Sequence, residues 1–157
     1  MTLLAAITHL ADITYPSPVS LSYDLDTLPQ SLERADMPSL IPRLLDQRRG
    51  QDTQASSQLT LDGSRYVFNA YVEHIAYWRP LTDGLYKELL PQMVTFVDDY
   101  IGLMPANRLM GGNLAEPLVI TTIEIADFGY PNPITDPSRF WAVRFLHHWK
   151  FVVEAAP

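Results

Sequence analysis

The segment that most constrains the fold is the end of the chain, Phe140 to Glu154, which reads FWAVRFLHHWKFVVE. Its side chains alternate between apolar and polar character, which is the pattern of one long strand with two different faces. The apolar face holds Trp141, Val143, Phe145, His147, Trp149, Phe151 and Val153, and the other face holds Arg144, His148, Lys150 and Glu154. At about 3.3 Å per residue this strand would span roughly 50 Å, far beyond the usual five or six residues. We expect one face to be core, the other to meet water or a partner, and the strand to reach beyond its own domain.

Three further segments also predict strands. Arg65 to Trp78 matches the last strand in length and in its β-branched and aromatic content. Leu118 to Ala126 predicts a third strand, and Leu40 to Leu45 predicts a short one. Leu59 and Leu61 predict a hairpin partner for the strand at Arg65, because a turn-forming Asp-Gly pair follows them.

Two segments have the apolar spacing of helices. Thr2 predicts the N-cap of a first helix that runs to about Ile13. A second helix is predicted from Leu85 to Ile101, and Pro91 is expected to kink it or to divide it into two shorter helices. The predicted buried stripes are Leu3, Leu4, Ile7, Leu10 and Ala11 in the first helix, and Tyr86, Leu89, Leu90, Met93, Val94, Val97, Tyr100 and Ile101 in the second. We therefore expect an α+β fold, an antiparallel β-sheet with long strands and with helices packed on one face, in a single domain over residues 1–157.

The connections between these elements differ in character. Tyr15 to Pro42 contains five prolines, which favours an extended, tethered loop with short strands. Phe128 to Pro137 is rich in Gly, Pro and Asn and predicts a turn-containing connection. Arg48 to Ser57 has no apolar residue larger than alanine, so we expect a mobile loop there.

Composition bounds the class of protein. A chain of 157 residues with 47% hydrophobic content can bury the core of one domain without covalent staples. Because the chain has no cysteine, disulfides, thiolate metal sites and a cysteine nucleophile are excluded. Its start resembles neither a signal peptide nor a membrane span. The formal charge is −7 and the eleven Lys and Arg residues are scattered, so we do not expect tight binding of nucleic acid.

No segment contains a self-sufficient catalytic motif, so we expect no enzyme, no cofactor and no metal site. Asp127-Phe128-Gly129 matches the magnesium triplet of kinases, but the other kinase motifs are missing, and the triplet predicts a strand end followed by a glycine turn. Asp24 and Asp26 have the spacing of a calcium loop without its remaining ligands, so capped turns are expected. His147 and His148 are adjacent in a strand, point to opposite faces and cannot readily chelate one ion.

Aromatic side chains are abundant, with three tryptophans and eight tyrosines. Trp141 and Trp149 lie on the apolar face of the last strand, so we expect them in the core rather than on a ligand platform. Tyr71 and Tyr77 lie on the second face of the strand that begins at Arg65. A subunit interface is the more natural expectation for these two tyrosines, since interfaces are rich in Tyr and Trp.

The order of elements resembles the tail-terminator (tail-completion) proteins of tailed bacteriophages. The resemblance covers most of the chain and rests on the amphipathic opening LLAAITHLADI, the proline-punctuated MPSLIP, the strand RYVFNAYVEHIAYW, the helix LLPQMVTFVDDYIG leading into NRLMGG, and the closing FWAVRFLHHWKFVVE. The chain departs from the family's pattern in the proline-rich region from Tyr15 to Pro42 and in the loop with Arg48 and Arg49.

The resemblance implies a structural protein of the virion, located in the tail and neck and assembled in the host cytoplasm. Such proteins form a hexameric ring that caps the tail tube, stops its polymerisation, joins the tail to the neck and head, and lets DNA pass without specific binding. The implied partners are other copies of the chain, the tail tube protein, the neck stopper or connector proteins, and the sheath where the tail is contractile, with no membrane involved. We expect Arg48 and Arg49 to contact a protein partner, because two adjacent guanidinium groups can reach an acidic surface.

Three alternatives stay open at this point. Another neck or connector protein, such as a stopper or head–tail adaptor, is the nearest to the resemblance. A β-rich ligand-binding module would show an exposed row of Trp or Tyr around a concave sheet. A small hydrolase would need buried His and carboxylate groups that converge in a pocket.

Overall fold

One five-stranded sheet organises the chain. The structure, a computed structural model, describes residues 2–44, 65–83, 86–130 and 138–154. The helices and strands are α1 (Leu3–Asp12), β1 (Leu21–Ser22), β2 (Ser39–Leu44), β3 (Arg65–Pro80), α2 (Tyr86–Leu103), β4 (Val119–Gly129) and β5 (Arg139–Glu154), with short 3-10 turns at Arg34–Asp36 and Leu81–Asp83. The strand order is β1-β2-β3-β5-β4, and every pair is antiparallel except β1 with β2. The predicted α+β fold with long antiparallel strands is confirmed.

The two long strands pair with each other along their whole length. The register of β3 against β5 runs from Arg65 opposite Glu154 to Pro80 opposite Phe140, with one irregularity after Tyr77. Within the described part of the chain, the neighbouring strands cover only part of this pair, because β2 ends opposite Val72 and β4 starts opposite His148. The segments Arg65–Ala70 and Trp149–Glu154 therefore have only each other as strand partners among the described residues, and we call them the two-stranded ribbon.

Both helices pack on one face of the sheet, as predicted. The main hydrophobic core joins α1, through Ala6, Ile7 and Leu10, and α2 to the inner face of the long strands. That inner face carries Ala70, Val72, Ala76 and Trp78 of β3, and Val143, Phe145, Trp149 and Phe151 of β5. The predicted inner face of β5 is confirmed at these positions, and His147 is buried among them. The side chain of Val153 lies outside the described residues.

Helix α1 begins where the sequence predicts. The Oγ1 atom of Thr2 accepts a hydrogen bond from the backbone N–H of Ala5 at 3.1 Å and so caps the first turn. The predicted stripe is wrong at Leu4, whose surface is 51% exposed, while Ala6 is buried in its place. The helix is therefore rotated slightly from the orientation that the larger side chains alone suggested.

Helix α2 is a single helix, so its division at Pro91 is wrong. Pro91 lies in the second turn with its side chain exposed, where its missing N–H costs the helix one backbone hydrogen bond. The buried face is Leu89, Met93, Phe96 and Tyr100. Tyr86, Val94 and Ile101 were expected on this face but are exposed, whereas Phe96, which was not expected there, packs against Trp78 and Phe145.

The second face of the sheet is buried at one end. A smaller core forms there from Leu32, Ile41, Ile75, Tyr77, Tyr130, Phe140 and Ala142, with Tyr23 and Met37 packed against it. The proline-rich segment before β2 supplies this cover, and the hydroxyl of Tyr130 donates to the carbonyl of Pro29. The expectation that the whole second face meets water or a partner is therefore wrong at this end.

The remaining predictions concern boundaries and connections. Strand β4 extends to Gly129 and takes in Phe128, which was assigned to the following connection. The predicted mobile loop Arg48 to Ser57 and the hairpin residues Leu59 and Leu61 lie outside the described residues.

Candidate functional site

A chain of buried polar groups crosses the main core beneath α2. The Tyr100 hydroxyl lies 2.8 Å from Nδ1 of His74 and 2.9 Å from Nε2 of His147, so α2 is joined to both long strands. The indole Nε1 of Trp149 donates to Nδ1 of His147 at 3.4 Å. Both imidazoles and the Tyr100 ring are fully buried.

The hydrogen bonds assign a direction to this network. Because the Trp149 N–H can only donate, Nδ1 of His147 accepts and its proton sits on Nε2. The His147 Nε2–H then donates to Tyr100, and the Tyr100 hydroxyl donates to Nδ1 of His74. The proton of His74 is thereby placed on Nε2, an atom that is buried and has no hydrogen-bond partner among the described residues.

Burial keeps all of these groups neutral. Desolvation lowers the pKa of His147 to about 3. Desolvation, together with the repulsion of His147, lowers the pKa of His74 well below its usual value. Desolvation also raises the pKa of the Tyr100 hydroxyl, and Tyr15 stacks on the Tyr100 ring with centroids 5.6 Å apart. Since neither imidazole has exposed surface, a substrate cannot reach them, and the chemistry available to the network is to tie the helix to the sheet.

The sequence does not indicate this network. The alternation of β5 places His147 on an apolar face, but nothing local places His74 or Tyr100 beside it. The proximity of the two histidines depends on the β3–β5 register, which places Val72 opposite His147, and on Tyr100 reaching between them. The available signal was one histidine, His74 or His147, on an otherwise apolar face of each long strand.

An ion-pair cluster occupies the middle of the second face. The buried carboxylate of Glu73 accepts from Nη1 of Arg144 at 2.8 Å, and Arg43 lies 3.6 Å away on its other side. Arg144 also donates to Glu124 on β4 at 2.5 Å. The charges balance, so the buried Glu73 is compensated rather than poised for acid–base chemistry.

The predicted interface residues are placed in different environments. Tyr71 is half-buried at the base of the ribbon, where its ring stacks on His148 with centroids 4.9 Å apart. Tyr77 is 0% exposed in the second core, and its hydroxyl donates to the carbonyl of Gly129 at 2.8 Å. Tyr77 therefore has no surface in this structure with which to contact another subunit. Arg48 and Arg49 lie outside the described residues.

The other candidate motifs take structural roles. Asp127 lies near the end of β4 and forms a salt bridge with Arg139 at 2.9 Å. The Oδ1 atom of Asp24 accepts from the backbone N–H groups of Asp26 and Thr27, which is the capped turn expected there. No group of three or more His, Asp or Glu side chains in the described parts of the chain could hold a metal ion.

A shallow pocket of about 210 Å³ lies beside Tyr15, between the end of α1 and β1. Small-molecule sites usually occupy about 300 to 1,000 Å³ and bury most of their ligand. This pocket is smaller than that range, so it does not make a persuasive ligand site.

Across the described segments, no helix is long and apolar enough to cross a membrane. No known family model matches the chain, and no curated protein matches it.

Proposed function

We propose that this chain is a structural protein of a tailed-bacteriophage virion, which forms a ring on the tail tube, ends tube polymerisation and joins the tail to the neck. The ring is hexameric in this proposal, and its lumen passes DNA without specific binding. The resemblance in element order suggested this function, and the two-stranded ribbon is the observation that carries it.

The ribbon supplies a surface suited to subunit contacts. It extends past the described ends of β2 and β4 by about 20 Å, at roughly 3.3 Å per residue. Its backbone edges have little cover from the described residues, although the N–H of Ala115 reaches the carbonyl of Lys150 at 2.9 Å. Exposed strand edges pair readily with another chain, and a projecting ribbon can place such an edge against a neighbour in a ring.

Two further observations favour a structural role. The imidazoles of His74 and His147 and the rings of Trp78 and Trp149 are buried, so these groups serve packing rather than catalysis or a ligand platform. The charge of −7 suits a ring through which DNA must slide, because like charge disfavours adhesion. The same burial of Trp78 and Trp149 weighs against the alternative of a β-rich ligand-binding module.

The experiment is assembly of the purified protein with tail tubes, followed by light scattering and negative-stain imaging. We expect rings at the tube ends and tubes that no longer elongate. Particles that remain at 17.8 kDa with tubes present would overturn the proposal. Rings that bind isolated head connectors but not tubes would favour the alternative of a stopper or head–tail adaptor.

A matched pair of variants locates the contact. Val152→Asp places a charge on the half-buried second face of the ribbon, and Val94→Asp places the same charge on the exposed side of α2. We expect Val152→Asp to stop ring formation and Val94→Asp to leave it unchanged, with both variants folded by circular dichroism. Equal assembly of the two variants would remove the ribbon from the interface.

A further inference from the structure

The two edges of the sheet are protected unequally. At one edge, β1 has only two residues and β2 carries Pro42, and both features discourage pairing with another chain. At the other edge, β4 runs for 11 residues, Val119–Gly129, without Pro or Lys. A register irregularity affects only its start, between Ile120 and Thr122. No described strand pairs with the outer edge of β4.

The side chains on this edge are unusually apolar for a solvated strand. Ile123 pairs with Phe145 on the helix-bearing face, yet its surface is 39% exposed. The cause is the position of α2, which packs over β3 and β5 through Phe96 and leaves β4 less covered. Val119, at the start of the strand, is 52% exposed.

The charges on β4 are already neutralised within the chain. Glu124 is paired with Arg144 at 2.5 Å, and Asp127 is paired with Arg139 at 2.9 Å. The chain as a whole carries −7, so two copies repel each other over most of their surface. The β4 edge is a place where two copies can approach without adding unpaired like charges.

We propose that a second copy of this chain pairs its β4 antiparallel with β4 of the first, about a two-fold axis at Ile123. The strand of the second copy that pairs here is its own β4. The edge formed by β1 and β2 is less suited to pairing, because β1 is short and β2 carries Pro42. The axis is normal to the sheet, so both copies keep their helices on the same side. The pairing extends one sheet continuously across two chains.

The register follows from the side chains that would face each other. Centring on Ile123 places Ile123 opposite its copy and Thr122 opposite Glu124 twice, so that each threonine hydroxyl can donate to a carboxylate. Centring on Glu124 would set two carboxylates opposite each other, which is an unfavourable pair in an antiparallel sheet.

The pair is independent of the proposed ring. A two-fold contact uses the same surface on both copies and closes at two chains, whereas a single cyclic ring needs head-to-tail contacts. The paired form therefore belongs to the free protein, and its tests use the purified chain without tail tubes. A failure of ring formation on tubes leaves these tests unaffected, and the reverse also holds.

Single cysteine variants test the register directly, because the natural chain has no cysteine. Side chains directly opposite each other have Cβ atoms about 4.5–5.5 Å apart, close to the reach of a disulfide. Under mild oxidation at high protein concentration, we expect Ile123→Cys to give a disulfide-linked species of twice 17.8 kDa. Val94→Cys, on the exposed side of α2, is the control and should stay monomeric. Absence of the Ile123→Cys dimer, or equal linkage of the two variants, would overturn the proposal.

Sedimentation of variants without cysteine provides a second, reversible readout. The natural chain should dimerise with increasing concentration, Ile123→Lys should remain monomeric, and Val94→Lys should behave as the natural chain does. Ile123 is partly exposed at an edge, so its replacement is compatible with folding, which circular dichroism checks. A natural chain that stays monomeric at every concentration, or an Ile123→Lys variant that dimerises equally well, contradicts the pairing.

Discussion

At the residue scale, His74 and His147 make the stability of this fold depend on pH. Both are buried in the neutral form, and their pKa values in the folded chain lie below the usual value of about 6.5. Below about pH 6.5 the unfolded chain therefore binds protons at these two histidines, whereas the folded chain does not. The stabilisation is fully present above about pH 6.5 and is lost as the pH falls towards the folded pKa, about 3 for His147.

The first prediction is a loss of about 1.4 kcal/mol of unfolding free energy per pH unit for each histidine, beginning just below pH 6.5. Urea unfolding between pH 7.5 and 5 measures this slope in a range where most carboxylates remain ionised. His147→Gln should reduce the slope by about one proton. His148→Gln, on the other face of the same strand, controls for loss of an imidazole, and an equal effect of both variants would contradict the assignment.

The second prediction concerns glycines near the turn after α2. Gly111 has φ +68°, and an added Cβ would lie 2.9 Å from Nδ1 of His9, whereas Gly112 has φ +83° with open space around it. We expect Gly112→Ala to cost about 1–2 kcal/mol from backbone strain alone, and Gly111→Ala to cost more. Gly102→Ala, in α2 with nothing nearby, should stabilise the protein by about 0.5–1 kcal/mol. Chemical denaturation ranks the three, and equal costs at Gly111 and Gly112 would mean that His9 moves aside freely.

At the scale of elements, β5 combines a buried face and a polar face on one strand. Trp149 and Phe151 lie in the main core, while Lys150 forms a surface salt bridge with Glu116 at 2.5 Å. The side chains of β5 that pack in the core are therefore found at alternate positions. The register of the whole sheet depends on this alternation, since a slip of one residue would exchange the faces.

The third prediction follows from that alternation. Trp149→Ala and Phe151→Ala should each lose about 3–5 kcal/mol of unfolding free energy because large buried rings are removed. Lys150→Ala should change stability by less than about 1 kcal/mol, as expected for an exposed ion pair. Urea denaturation of the three variants is the measurement, and the reverse order would show that the register is wrong by one residue.

The fourth prediction separates two tyrosines on the second face of β3. Tyr77→Ala should cost about 3–5 kcal/mol, because its ring fills the second core. Tyr71→Ala removes a half-buried ring that stacks on His148, so it should leave the fold intact and weaken assembly on tail tubes. Unfolding curves and tube-binding assays distinguish these effects. Normal tube binding by Tyr71→Ala would take this residue out of the interface.

At the scale of the whole molecule, net charge limits the affinity of the protein for nucleic acid. The eleven Lys and Arg side chains are outnumbered by 18 Asp and Glu, and several of the described cations are paired with carboxylates. Among the described residues, several of the positive charges that a phosphate backbone could contact are therefore already paired. We expect DNA to pass through the proposed ring without adhering to it.

The fifth prediction tests that expectation. Duplex DNA should show little affinity for the isolated protein at physiological salt, and any binding should disappear as salt rises. Replacing both Arg48 and Arg49 with Glu should weaken joining to the tail or neck while leaving the melting temperature unchanged. Unchanged joining together with altered DNA retention would reassign these arginines as DNA contacts.

The sequence by itself determined the long strands, the two helices and the inner face of β5. Alternation over Phe140 to Glu154 specifies strand and face together, because the side-chain period of a strand is two. Thr2 likewise determines the start of α1, because its hydroxyl accepts a hydrogen bond from a backbone N–H in the first turn of the helix that follows. These features depend on neighbours along the chain, so they are readable without the fold.

Only the tertiary structure decided which groups meet across the sheet. Three features depend on residues that are distant in sequence. They are the contact of Tyr100 with His74 and His147, the burial of Tyr77, and the orientation of α2 that buries Phe96. Tyr71 and Tyr77 share one face of one strand, yet the proline-rich segment covers only the end that holds Tyr77. The open edge of β4 is likewise a property of strand order. Local patterns fix what an element is, but its cover depends on how distant segments fold back over it.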